Sequence, residues 1–142
     1  MANVYDVAAY ILSKRGGMTA MKLQKLVYYS QAWSLVWDNA RLFPERIEAW
    51  ANGPVSPALY RLHAGDYMVN RIVSGNPESL TRKERETVDA VLEYYGDKEP
   101  QWLIDLTHLE KPWRKARAGI PDGESSTNVI SIASMAEYYG SL

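Results

Sequence analysis

The sequence contains no cysteine, and its 142 residues include only two histidines and one phenylalanine. The absence of cysteine excludes disulfide bonds, thiol catalysis and cysteine-bound zinc. Neither His63 nor His108 has a second histidine at helical spacing, and the nearby Glu110 would point away from His108 on a helix. We therefore expect no metal site, and we expect His108 to donate a hydrogen bond that ties a helix end to its neighbour.

Other sequence patterns of enzymes are missing as well. The chain has no Gly-x-Ser-x-Gly elbow, no Walker motif and no Gly-x-Gly-x-x-Gly loop. Carboxylate pairs such as Glu84 and Glu86 lie at positions typical of solvated helix faces. We therefore predict no catalytic residue, no cofactor and no enzymatic activity. A hydrolase built on His63 or His108 with a serine that is distant in sequence stays open as an alternative.

Long apolar runs and excess charge are also lacking. No run approaches the roughly 18 apolar residues of a membrane span, and the first ten residues lack the pattern of a secretory signal. The net charge of −1 argues against general affinity for nucleic acids, which depends on many Lys–phosphate and Arg–phosphate contacts. We expect a cytoplasmic protein without membrane or nucleic-acid partners. The basic stretch Lys111–Arg117, which contains Trp113, keeps nucleic-acid binding as the alternative function.

Apolar residues make up 46% of the chain, which is enough for the core of one domain over residues 1–142. A breaker-free stretch from Met21 to Trp37 carries two adjacent apolar stripes, so it predicts a central helix surrounded by other elements. One further apolar stripe predicts the first helix and consists of Val4, Val7, Ala8, Ile11 and Leu12.

Further helix starts are marked by capping residues and prolines. These markers are Thr19, Ser56-Pro57, Thr81 with Glu84, Pro100, Pro112 and Ser131. Short extended segments are predicted at residues 46–50 and 70–74, with a turn at Asn52-Gly53-Pro54 after the first of them. The sequence thus predicts a mainly α fold: a compact bundle of about seven helices around a central buried helix, with room for one small two-stranded β element.

Aromatic residues are unevenly distributed, with ten tyrosines and five tryptophans. Residues 48–55 join a Gly-Pro turn to Trp50 and are followed by Tyr60, an arrangement that forms either a stiff binding platform or a tight turn around an aromatic core. Rigid aromatic anchors lose little entropy on binding. The polar cluster at residues 22–25 is either the solvated end of the central helix or the rim of a groove beside the turn.

Three motifs follow one another along the chain. They are Leu23-Gln24-Lys25-Leu26-Val27-Tyr28-Tyr29, then Glu48-Ala49-Trp50 with Gly53-Pro54-Val55 and Tyr60, then Leu106-Thr107-His108 with Pro112-Trp113. Their order and spacing resemble the Panacea domain of SocA-like and GepA-like proteins, many of them prophage-associated, from about Val4 to Tyr139. The resemblance implies an antitoxin that neutralises a toxin by direct protein contact and is not an enzyme.

The predicted function is therefore that of the antitoxin of a toxin–antitoxin system, with a cognate toxin protein as its partner. The alternative is a nucleic-acid-binding regulatory protein of prophage origin. The oligomeric state stays open. The predicted partner-binding residues are Lys22, Lys25, Trp50, Pro54, Tyr60 and Arg61, the last as a charge at the rim.

Overall fold

The computed structural model describes residues 1–142 and contains seven α-helices, as the sequence predicts. A single turn of 3-10 helix at Pro77–Ser79 precedes the fourth of them. None of these helices is both long enough and apolar enough to cross a bilayer. The helices are α1 Val4–Arg15, α2 Ala20–Trp37, α3 Pro57–His63, α4 Arg82–Tyr95, α5 Pro100–Leu109, α6 Lys111–Ala116 and α7 Ile132–Gly140.

The helix starts are capped where the sequence predicts caps. The side chains of Thr19, Ser56, Thr81 and Ser131 each accept a hydrogen bond from a backbone N–H in the first turn of their helix. Thr81 completes its capping box with Glu84. Helix α1 begins with a second capping box, formed by Asn3 and Asp6, that the sequence analysis did not identify.

Helix α2 is the centre of the fold, and every residue from Leu23 to Ala32 is buried. It packs against α1, α4, α5 and α7, so the prediction of a central buried helix is confirmed. A polar cluster joins it to its neighbours, because the hydroxyls of Tyr29 and Tyr139 both donate to Oε1 of Glu110, at 2.6 and 2.8 Å. Burial raises the pKa of the Glu110 carboxyl, although these two hydrogen bonds act to lower it.

The β structure consists of two small antiparallel sheets. Strand β2, Glu48–Trp50, pairs with β3, Gly53–Val55, as a hairpin, and the backbone of residues 128–130 bonds to the other edge of β2. Strand β1, Met18–Thr19, pairs with β4, Met68–Val69.

Two details of the predicted β structure are wrong. No strand covers residues 70–74, because the chain bends there into a turn closed by the Gly75 N–H donating to the Ile72 carbonyl at 3.2 Å. The predicted segment at residues 46–50 contains β2, and the strand that pairs with it is β3, which contains Gly53 and Pro54. Gly53 has φ +115°, so the chain can return to an extended path directly after the Ala51-Asn52 turn.

Candidate protein-binding site

A cavity of about 620 Å³ opens between the start of α2, the β2–β3 hairpin and α3 with the loop that follows it. The loop between α6 and α7 completes its lining. Its lining residues come from the ranges 20–25, 50–55, 60–67 and 125–127. This volume lies within the range of pockets that bind ligands in proteins.

Gln24 forms one part of the cavity floor and is buried. Its Oε1 accepts from the Ser56 N–H at 2.9 Å, while its Nε2 donates to the Ser56 carbonyl at 3.2 Å and contacts Nε2 of His63 at 3.0 Å. Because the bond to the Ser56 N–H fixes the orientation of the amide, Nε2 of Gln24 is the donor and the His63 ring is neutral, with its proton on Nδ1. Burial lowers the pKa of His63, which favours the same neutral state.

Lys25 forms the other part of the floor and is only 1% exposed. Its Nζ donates to the Pro54 carbonyl at 3.0 Å, and no carboxylate lies within salt-bridge distance of it. Burial lowers the pKa of Lys25 to about 7, because the charged form loses its hydration.

Gln24 and Lys25 together close the outer edge of β3, where a further strand would otherwise bond. Of the polar cluster at residues 22–25, Gln24 and Lys25 therefore reach across to the turn, which was one of the two alternatives that the sequence left open. The other alternative, a solvated helix end, is wrong for these two residues. A Cβ on Gly53 would lie 2.5 Å from Cε of Lys25, so any other residue at this position would force the buried lysine stem to move.

The mouth of the cavity is aromatic. The indole N–H of Trp50 donates to Glu48 at 2.9 Å, and the ring meets that of Tyr60 edge to face with centroids 4.9 Å apart. Tyr60 is 40% exposed, Tyr67 is 78% exposed and Met21 is 37% exposed. Tryptophan, tyrosine and methionine are the residue types that are enriched at the centres of protein interfaces.

One wall of the cavity is held by Arg117, whose side chain is buried. Its guanidinium donates to the carbonyls of Ala49, Pro121 and Glu124 at 3.1, 3.1 and 2.6 Å. These bonds fasten the loop that ends in residues 125–127 to strand β2. The wall is thus tied to the same hairpin that carries Trp50.

The predicted partner-binding residues are distributed unequally around the cavity. Lys25, Trp50 and Tyr60 line it. Pro54 is buried and contributes its carbonyl to the bond with Lys25. Lys22 is half-buried, Arg61 is exposed, and neither lines the cavity, although each is adjacent in sequence to a residue that does. Met21 and Tyr67 were not among the predicted residues.

His108 differs from the prediction. Its ring stacks on Trp113 with centroids 4.0 Å apart, and its buried Nε2 has no hydrogen-bond partner, so the predicted hydrogen bond to a neighbouring helix is wrong. The helix end is held by stacking instead. Neither His63 nor His108 is hydrogen-bonded to a serine, and no group of His, Asp or Glu side chains is arranged to hold a metal ion.

The basic segment Lys111–Arg117, which contains α6, lacks the exposed aromatic ring that would favour nucleic-acid binding. Trp113 is 3% exposed, and its indole N–H donates to the Trp50 carbonyl at 2.9 Å. His108 stacks on its ring and the Arg117 guanidinium lies 4.9 Å from its centroid, so no base can stack on it. Arg117 is buried, and its charge is not available to a phosphate.

Comparison with known proteins gives one family. The family model described as "Antitoxin SocA-like, Panacea domain" matches residues 23–114, more than half of the chain. No curated protein and no solved structure matches the chain. The matched range contains most of α2, the hairpin, α3 and the loop with Tyr67, and thus most of the cavity lining.

Proposed function

The chain belongs to the antitoxin SocA-like, Panacea domain family, and from this premise we propose that it neutralises a cognate toxin by binding it directly. Membership of an antitoxin family favours a role in a toxin–antitoxin pair and a role without catalysis. The observation that carries the proposal for the binding surface is the exposed aromatic mouth of the 620 Å³ cavity.

The proposed contact surface has an aromatic centre and a charged rim. Trp50, Tyr60, Tyr67 and Met21 form the centre, since they are the apolar side chains at the mouth. Residues of these types supply a large share of the binding energy in many protein interfaces. Lys25 lies at the floor, Pro54 fixes the hairpin through its carbonyl, and Lys22 and Arg61 are proposed as flanking charges.

The surface is preorganised because each part is fastened to the helical body. Gln24 and Lys25 hold the outer edge of the hairpin, and Arg117 holds the loop of residues 118–127. A surface that is already ordered loses less conformational entropy when its partner binds. Stoichiometric neutralisation requires a dissociation constant of about 1 nM or lower, which corresponds to about 12 kcal/mol, and such preorganisation supports this affinity.

The test uses the product of the gene adjacent to the one that encodes this chain. That product should arrest growth when expressed alone, and co-expression of the wild-type chain should restore growth and yield a complex on purification. Tyr67→Ala should weaken the purified complex by about 2 kcal/mol, roughly thirtyfold, without changing the melting temperature.

Tyr94 provides the matched control, since it is a tyrosine that is 64% exposed and does not line the cavity. Tyr94→Ala should leave the affinity unchanged. Equal weakening of the complex by the two substitutions would contradict direct binding through this surface. Restored growth without a complex between the chain and the product of the adjacent gene would contradict it as well.

A further inference from the structure

We propose that the cavity receives a carboxylate carried by an apolar segment of the toxin, and that Lys25 at the floor is the group that binds it. This inference rests on the proposed function and adds the chemistry of the group that the toxin presents.

The first step concerns the hydrogen-bonding capacity of Lys25. An ammonium group has three N–H donors, and the Pro54 carbonyl occupies one of them. Carboxylates of this chain do not occupy the others, because none lies within salt-bridge distance. The buried cation therefore has spare donors and lacks a counter-ion, which a carboxylate from outside would supply.

The second step concerns the other titratable groups around Lys25. Burial lowers the pKa of His63 in α3 and of His108 in α5, and the Lys25 charge lowers both further. Neither histidine supplies negative charge. Asp66 also lines the cavity but is exposed, so water screens its charge. Burial lowers the pKa of Lys25 to about 7, and a bound carboxylate would stabilise the ammonium form near neutral pH.

The third step concerns the walls. Between the mouth and the floor an entering group contacts Met21, Trp50, Tyr60 and Tyr67, which favour apolar and aromatic side chains. The combination of apolar walls with one cation at the floor matches a segment with an apolar side chain next to a carboxylate. Both a chain terminus and an acidic side chain provide this group.

Three short peptides test the inference without the toxin. They are acetyl-Ala-Phe with a free carboxyl terminus, acetyl-Glu-Phe-amide and acetyl-Gln-Phe-amide, titrated at pH 6.5 into the ¹⁵N-labelled full chain. The signals to follow are the indole N–H of Trp50 and the side-chain amide of Gln24. Both carboxylate peptides, or one of them, should bind at least about tenfold more tightly than the glutamine peptide, since a charge-assisted hydrogen bond is gained. The tighter of the two identifies the terminus or the side chain as the source.

Equal affinity for the three peptides, or no shift of these two signals with any of them, overturns the inference. Lys25→Met is the matching variant, and it should still bind the glutamine peptide but lose the preference for a carboxylate. If this variant does not fold, the comparison of peptides on the wild-type chain still decides the question. No preference for a carboxylate on the wild-type chain, together with an intact effect of Tyr67→Ala on toxin binding, would refute this inference alone. A clear preference without any toxin complex would refute the antitoxin proposal alone.

Discussion

Replacing Lys25 by methionine should change how the stability of the protein depends on pH. Burial lowers the pKa of Lys25 to about 7 in the native state, from an ordinary value of 10.5. Between these two values the unfolded chain holds more protons than the native chain does. The free energy of unfolding of the wild type therefore rises with pH across this window, and the lysine destabilises the fold most at pH values below about 7.

The size of the effect follows from the same shift. One pKa unit corresponds to about 1.4 kcal/mol, so the rise attributable to Lys25 between pH 6 and pH 9 is about 2–3 kcal/mol. The hydrogen bond to the Pro54 carbonyl survives deprotonation, since a neutral amine still donates. Methionine keeps most of the stem volume but leaves that carbonyl unpaired, which costs about 1–3 kcal/mol at every pH.

The assay is urea unfolding of both proteins at pH 6, 7, 8 and 9, followed by tryptophan fluorescence. The stability of Lys25→Met relative to the wild type should fall by about 2–3 kcal/mol from the lowest to the highest pH. Lys22→Met is the control, because Lys22 lies in the same helix and is only half-buried. A difference in the free energy of unfolding between the wild type and Lys25→Met that stays constant from pH 6 to pH 9 would show that Lys25 titrates as an ordinary lysine. This result would refute the reasoning.

Three further substitutions test other parts of the structure. Arg117→Gln should lower the free energy of unfolding by about 2–4 kcal/mol, because the carbonyls of Ala49, Pro121 and Glu124 lose the donor that the buried guanidinium supplies. The loop of residues 118–127 should then become accessible to limited proteolysis. Arg114→Gln on the exposed face should change stability by less than about 0.5 kcal/mol. Gly53→Ala should destabilise the protein by more than about 2 kcal/mol in thermal unfolding, since φ is +115° and the new Cβ meets the stem of Lys25. Gly119→Ala is the control, because Gly119 has φ +86° but no atom within 4 Å of the new Cβ. This control should cost only the backbone strain of about 1–2 kcal/mol. Tyr29→Phe should cost about 1–3 kcal/mol in urea unfolding because the buried carboxyl group of Glu110, which precedes α6, loses one of its two hydroxyl donors.

The helices could be predicted from the sequence because their signals are local. The apolar stripe of α1 and the uninterrupted apolar stretch of α2 each extend over several turns, and Thr81 with Glu84 marks a helix start within four residues. The small sheets could not be predicted in the same way. Strand β3 is three residues long, and its outer edge is completed by Gln24 and Lys25 from a different part of the chain.

The candidate site could be predicted only in part for the same reason. Trp50 and Tyr60 are conspicuous beside a Gly-Pro dipeptide, and both line the cavity. The burial of Lys25 runs against the general preference of lysine for the surface, although its position among the apolar residues of α2 is a signal that could have indicated it. Tyr67 lies in a short loop whose place beside α2 depends on the β1–β4 pairing, and no local pattern predicts that contact.

Backbone amide hydrogen exchange of the chain, alone and in complex with the toxin, tests the central claim most directly. Residues 65–67 and 125–127 lie in two loops that line the cavity, and the toxin should slow the exchange of their amides on binding. The loop of residues 70–76, which does not line the cavity, should exchange at the same rate in both samples. Protection confined to other surfaces such as α4 or α7, with both cavity loops unchanged, would contradict the account.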